Sequence, residues 1–182
     1  FMHGFILFSQ QKYDEAIPFF NQASQDSGFR NLKMCYYYRA QCNGELNNNI
    51  QAVQDFTKFL NIDNLKTLAS AEAVYNRGYY KMKLSDNRGA VQDYSQAIDL
   101  YSTALQNEKL PNRNSYLQKL IDAYISRGLA KADIQKYDEA IQDYNEVVKL
   151  NPQYALAYRL RGLAEIKKND KDAGCLELSH AG

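Results

Sequence analysis

The chain has 182 residues, 45% of them hydrophobic and 24% charged, and its 22 Lys+Arg against 21 Asp+Glu leave a formal net charge of +1. That length can bury a substantial core, but the charge balance lacks the clustered base that nucleic acid or an anionic membrane surface attracts. No apolar run approaches the roughly 20 residues that span a bilayer, and Phe5-Ile6-Leu7-Phe8 is too short for the apolar core of a signal peptide. The three cysteines form no disulfide framework. Cys35 and Cys42 lie about 10 Å apart along one predicted helix, beyond disulfide reach, and Cys175 is distant in sequence. Buried free thiols are expected; they lean toward a reducing cytoplasmic compartment and leave an exported or periplasmic one open.

One heptapeptide occurs twice without change: Gln11-Lys12-Tyr13-Asp14-Glu15-Ala16-Ile17 returns as Gln135-Lys136-Tyr137-Asp138-Glu139-Ala140-Ile141. Looser versions begin at Gln51 and Gly89. Twelve residues before the small residue of each stands another: Ala40 before Ala52, Gly78 before Ala90, Gly128 before Ala140, with Gly162 likewise before Gly174. Two small residues at that interval let a pair of antiparallel helices approach closely.

In chain order this frame gives five units. Residues 1–32 form an incomplete first unit with Gly4, Ala16, Phe20 and Ala23 in register. Residues 33–70 carry Tyr36, Ala40, Ala52, Phe56 and Phe59, with a turn at Asn47-Asn48-Asn49. Residues 71–120 carry Val74, Gly78, Ala90, Tyr94 and Ala97, with a turn at Ser85-Asp86-Asn87. Helical spacing of Ala97, Ile98, Tyr101, Ala104 and Leu105 predicts that the second helix of this unit runs on to about Asn107. A connection over 108–114 follows, and Asn114 or Ser115 is expected to cap a long next helix through Tyr116, Leu117, Leu120 and Tyr124. The result is an elongated helical hairpin, either an insertion packed on itself or a protrusion that meets a partner. Residues 121–154 are the cleanest unit, and 155–182 the last, incomplete one, with Tyr158, Gly162, Gly174, Leu178 and Ala181 and a turn at Asn169-Asp170. Solenoids need polar terminal caps, so the two abrupt ends imply omitted flanking helices or contact with another copy.

With Ile121 as position 1, Tyr124, Gly128, Ala140, Tyr144, Val147 and Pro152 fall at positions 4, 8, 20, 24, 27 and 32. This pattern resembles the tetratricopeptide repeat (TPR), with Tyr or Val where that family carries Trp. The resemblance implies an all-α fold: a single domain over 1–182, a right-handed superhelical solenoid of about five helix pairs. It also implies that positions 2, 5, 9 and 12 of the first helix of each pair line a concave face. Here that face is mainly aromatic and aliphatic. Tyr37, Gln41, Tyr75, Tyr79, Met82, Ile125, Leu129, Arg159 and Leu163 are its candidate peptide-binding residues, with packing between neighbouring helices as the competing role. Family members that hold a chaperone's C-terminal carboxylate use Lys at position 5 and Asn at position 9. Tyr37 and Gln41, Tyr75 and Tyr79, Ile125 and Leu129 stand there instead, which excludes that specialisation.

An arginine recurs at position 7 with an acid sixteen residues later: Arg39 and Asp55, Arg77 and Asp93, Arg127 and Asp143, Arg161 and Glu177. In a hairpin turning near position 15 the two stand at one height, so a structural Arg–carboxylate bridge per unit is expected, against the rival reading of an arginine ladder for acidic peptides. His3 and His180 sit at opposite ends, and no Gly-rich phosphate loop occurs. No catalysis, cofactor or metal is expected. The predicted role is a scaffold or adaptor binding a peptide or helix of a partner protein. The alternatives are a self-assembly module, including a homodimer through the solenoid ends, or a helper segment of a longer enzyme or sensor.

Overall fold

The structure, a computed structural model, describes residues 1–26, 28–65, 67–107 and 109–168. Among them all regular structure is helical, in nine α-helices. Gly174, Cys175, Glu177, Leu178, His180, Ala181 and the Asn169-Asp170 turn lie outside the described residues. The chain divides into two compact units, Phe1–Asp86 and Asn87–Gly182.

The first unit holds α1 (Met2–Ser9), α2 (Tyr13–Ala23), α3 (Leu32–Glu45), α4 (Asn49–Asp63) and α5 (Leu68–Lys83), each packed on the next. Small residues permit this. Ala16, Ala40, Ala52 and Ala71 are wholly buried, and a Cβ on Gly4 would stand 3.0 Å from the Phe19 Cβ and 3.2 Å from the Phe20 ring. Phe20, Phe56 and Phe59 fill the space between hairpins and are wholly buried. Tyr38 gathers the rings of Phe1, Phe5, Phe8 and Phe20 at centroid distances of 5.0 to 6.2 Å. Aromatic burial of this kind, rather than helix propensity, supplies most of the stability of so short a helix as α1.

Each tight turn inside a hairpin places position 15 in the left-handed region: Gln11 (φ 61°), Asn47 (φ 59°) and Ser85 (φ 64°) in the first unit, Gln135 (φ 63°) in the second. The turn from α4 to α5 is different. Asn64 and Leu65 are both left-handed, at φ 52° and 56°. Beside them the buried Asp63 carboxylate accepts hydrogen bonds from Lys33 Nζ (2.6 Å), Thr67 Oγ1 (2.7 Å) and Ser70 Oγ. One carboxylate thus ties α3, α4 and the start of α5 together.

The second unit holds α6 (Asn87–Leu105), α7 (Arg113–Asp133), α8 (Tyr137–Leu150) and α9 (Ala155–Lys167), again packed in sequence order. Its long hairpin is α6 and α7, of 19 and 21 residues against 14 in α8. The extension packs on itself: Tyr101 is buried and its ring lies 6.5 Å from that of Tyr116. Helix α6 runs to Leu105, in keeping with the expected end at about Asn107. One expectation needs correction: α7 begins at Arg113, with the left-handed Asn112 rather than Asn114 or Ser115 preceding it. The reason lies in Arg113, whose Nη1 donates to the carbonyls of Leu105 and Asn107 and so satisfies the open end of α6. Ile121, Ile125, Ala140, Tyr144, Val147, Ala157 and Ala164 form the core between α7, α8 and α9.

Candidate binding face

The first helices of the pairs divide the predicted inner-face residues into buried and presented ones. In the first unit Tyr37 is buried, and its hydroxyl donates to Glu72 Oε2 at 2.9 Å, linking α3 to α5. Burial first, and the Glu72 charge second, push that hydroxyl far above its ordinary range. Tyr37 is therefore a packing residue, and its expected role as a ligand contact is withdrawn. Gln41, Tyr75 and Met82 are half-buried. Tyr79 is 42% exposed; its ring meets Tyr80 edge-on at 5.2 Å and carries the Lys83 ammonium 5.4 Å above its centre.

In the second unit Ile125 is a core residue, so its expected ligand role is withdrawn for the same reason. Leu129 is half-buried, Arg159 exposed, and Leu163 43% exposed. Phe5, which the sequence reading left out, belongs to the same series. It stands at position 9 of the first, incomplete unit, is 36% exposed, and rests edge-on against Tyr38 at 5.0 Å. Large apolar side chains at position 9 are thus presented to solvent at Phe5, Tyr79 and Leu163, while among the described residues those at positions 20 and 24, together with Phe59, Ala97 and Val147 at position 27, are buried. The signal was legible: position 9 of the same repeat frame.

Two of the arginine–acid pairs lie each within one unit. Arg39 grips Asp55 in a fork, Nε to Oδ2 at 2.7 Å and Nη2 to Oδ1 at 2.6 Å. Arg127 approaches Asp143 similarly, Nη2 to Oδ1 at 2.7 Å and Nε to both oxygens at 3.1 and 3.2 Å. Both carboxylates are buried, so the paired cation offsets a desolvation cost that would otherwise be several kcal/mol. Arg77 belongs to the first unit and Asp93 to the second, and Glu177 lies outside the described residues. A third partner was missed. Position 11 joins each fork, as Asn43 Nδ2 to Asp55 (3.4 Å) and as the buried Lys131 Nζ to Asp143 (2.9 Å). The guanidinium groups of Arg39, Arg127 and Arg161 also lie 5.3, 5.4 and 5.1 Å over the rings of Tyr36, Tyr124 and Tyr158. Tyrosine at position 4 thereby gains a cation–π contact.

Among the described residues no group of three His, Cys, Asp or Glu side chains could hold a metal ion, and no helix is long and apolar enough to cross a membrane. Cys35 and Cys42 are buried free thiols. Burial raises both, Cys42 to about 12, which keeps them protonated and poorly nucleophilic.

A family model described as TPR repeat matches residues 128–168. The heat shock protein STI1 of Saccharomyces cerevisiae is 30% identical over 81 residues, covering 44% of this chain and 12% of that protein. The mitochondrial import receptor subunit TOM70 of Rattus norvegicus is 32% identical over 113 residues, covering 62% of this chain and 17% of that protein. The chain thus spans less than a fifth of the length of these two curated relatives. Among solved structures, MamA matches with a TM-score of 0.80 at 21% identity, covering 98% of this chain and 85% of that one. YrrB, described as a TPR protein with an unusual peptide-binding site, matches with a TM-score of 0.76 at 20% identity, over 98% and 80%. At these identities the structural matches speak for the fold: an all-α solenoid of repeated helix pairs.

Proposed function

We propose that this chain, a member of the tetratricopeptide-repeat family, is a non-catalytic scaffold whose first helices bind a peptide or helix of a partner protein. The observation that carries the reading is the exposure of large apolar side chains at position 9: Phe5 and Tyr79 in the first unit, Leu163 in the second. An apolar residue held outward by a helix gains by burial against a ligand about 25 cal/mol for each Å² of apolar surface removed from water, and Gln41, Tyr75 and Met82 in the first unit and Leu129 in the second are half-buried residues of the same predicted series. Tyrosine is well suited to anchor such contacts because it couples a large apolar ring to a hydroxyl. Relatives support the reading by what their names record: an import receptor subunit, an Hsp70-Hsp90 organizing protein and a protein with a peptide-binding site.

The ligand proposed here is not a C-terminal carboxylate. The positions that would supply Lys and Asn to hold one carry Tyr37 and Gln41, Tyr75 and Tyr79, Ile125 and Leu129. The apolar side chains presented at Phe5, Tyr79 and Leu163 suit an apolar or aromatic segment better.

The test compares the wild-type chain with a Tyr75→Ala, Tyr79→Ala, Leu129→Ala variant whose helicity by circular dichroism is unchanged. A library of extended and helical peptides is panned against both, and the selected peptides are titrated. The reading requires peptides that bind the wild type and bind the variant at least tenfold more weakly. Equal binding to both, or self-association as the sole interaction in sedimentation, would refute it.

A further inference from the structure

The arginine at position 7 does more than hold its own hairpin together. Nη1 of each of these side chains reaches back to position 25 of the preceding repeat, a contact the sequence reading did not foresee. Arg39 Nη1 donates to Asn21 Oδ1 at 2.7 Å and to Ser24 Oγ at 3.2 Å. Arg77 Nη1 donates to Thr57 Oγ1 at 3.3 Å. Arg127 Nη1 donates to Ser95 Oγ at 3.0 Å, and Arg161 Nη1 to Asn145 Oδ1 at 2.6 Å. Asn21, Thr57, Ser95 and Asn145 all stand at position 25.

The chemistry of these four receivers is matched to the donor. The Ser95 and Thr57 hydroxyls each donate their proton to their own helix, to Val91 O and Val53 O at 2.8 Å, which leaves oxygen lone pairs for the guanidinium. Asn21 and Asn145 offer an amide oxygen, an acceptor by nature. A guanidinium is a rigid planar fork with five donors. In Arg39 and Arg127 one edge, Nε and Nη2, is committed to the acid at position 23, and Nη1 is directed to the neighbouring hairpin. A lysine could satisfy the acid but not both directions at once.

We propose that this arginine, as Arg39 and Arg127 display it, is a register pin between consecutive repeats: one side chain fixes the first helix of a pair against its own second helix and against the second helix of the pair before it. The position-25 residue is then a positioning residue whose required property is a small hydrogen-bond acceptor. The pin sets how strongly one helix pair is coupled to the next, whatever the inner face binds.

The Arg127–Ser95 contact lies within the second unit and gives the cleanest test. Amide hydrogen exchange of the full chain is followed by mass spectrometry in the wild type and in Ser95→Ala, Ser95→Asn and Arg127→Lys. Alanine is the better helix former, so a structural role confined to α6 itself would leave protection equal or higher. The pin predicts that Ser95→Ala raises exchange in α7 and α8 about tenfold, the equivalent of about 1.4 kcal/mol, with α2 to α4 unchanged. Ser95→Asn, which installs the residue already found at positions 21 and 145, should stay within about twofold of wild type. Arg127→Lys should exchange at least as fast as Ser95→Ala. The proposal fails if Ser95→Ala matches wild type, if Ser95→Asn is as impaired as Ser95→Ala, or if the change spreads evenly over both units.

Discussion

The ring of Tyr144 passes so close to Gly128 that a Cβ built on the glycine would stand 2.5 Å from the ring's Cε1. Tyr144 is fully buried and cannot yield. Gly44 faces a similar obstacle, since a Cβ there would run into the hydroxyl end of Tyr80, but Tyr80 is only half-buried and can swing outward. Both glycines lie inside helices, where alanine by itself would gain up to about 1 kcal/mol. Gly128→Ala should therefore destabilise the chain by about 2–3 kcal/mol through overpacking, and Gly44→Ala by clearly less. Urea midpoints of the two variants check the order; equal midpoints would mean that the Tyr144 ring is as movable as that of Tyr80.

The Arg39–Asp55 fork invites a double-mutant cycle. Removing Arg39 leaves the Asp55 carboxylate buried with only the long 3.4 Å hydrogen bond from Asn43. Arg39→Ala should cost about 3–5 kcal/mol. In the double variant Arg39→Ala, Asp55→Ala no charge is stranded, and its cost should fall short of the sum of the singles by about 1–3 kcal/mol. Additive values from chemical denaturation would show that the carboxylate finds other solvation.

Asp63 makes a pH prediction. Burial alone would raise its pKa, but hydrogen bonds from Lys33, Ser70 and Thr67 outweigh it and bring the group from 3.8 down to about 2. A folded value below the unfolded one stabilises the fold above the unfolded pKa, and that contribution is lost as pH falls through the folded one. The group should contribute about 2 kcal/mol at neutral pH, lost between about pH 4 and pH 2. In Asp63→Asn, unfolding followed across this range should show a shallower acid loss than in the wild type, by that amount. Parallel pH profiles would contradict the assignment.

The left-handed turn residues are improvable. Gln135 holds φ 63° although its side chain carries a Cβ, and left-handed backbone costs such residues about 1–2 kcal/mol relative to glycine. Part of that is offset by the larger unfolded-state entropy of glycine. Gln135→Gly should raise stability by about 0.5–1 kcal/mol, and Asn47→Gly by less, because asparagine already tolerates this region. Thermal unfolding of both variants checks the difference.

Much of the fold was legible because repeat architecture writes itself locally. Ala40, Ala52, Gly128 and Ala140 recur at one interval because any larger side chain would separate the helices, and Pro152 marks an end because it cannot continue a helix. The long hairpin could be read from the helical spacing of Ile98, Tyr101 and Leu105. The start of α7 could not, since it depends on a contact that Arg113 makes across the loop to Leu105. On the candidate face, the positions were readable and the occupants' fates were not. Tyr37, at position 5, and Tyr79, at position 9, are the same residue type on the predicted inner face; one is spent on Glu72 and the other is presented to solvent.

By itself, then, the sequence determined the helix pairs, their order, and the pairing of Arg39 with Asp55 and of Arg127 with Asp143, because these follow from intervals along a chain of fixed rise per residue. Only the tertiary structure decided which side chains of the first helices are left exposed to solvent, and where the second half of each guanidinium goes. Burial and hydrogen-bond direction depend on what the neighbouring helix brings to the same point in space. In this chain that neighbour, whether Glu72 facing Tyr37 or Ser95 facing Arg127, comes from another repeat more than thirty residues away.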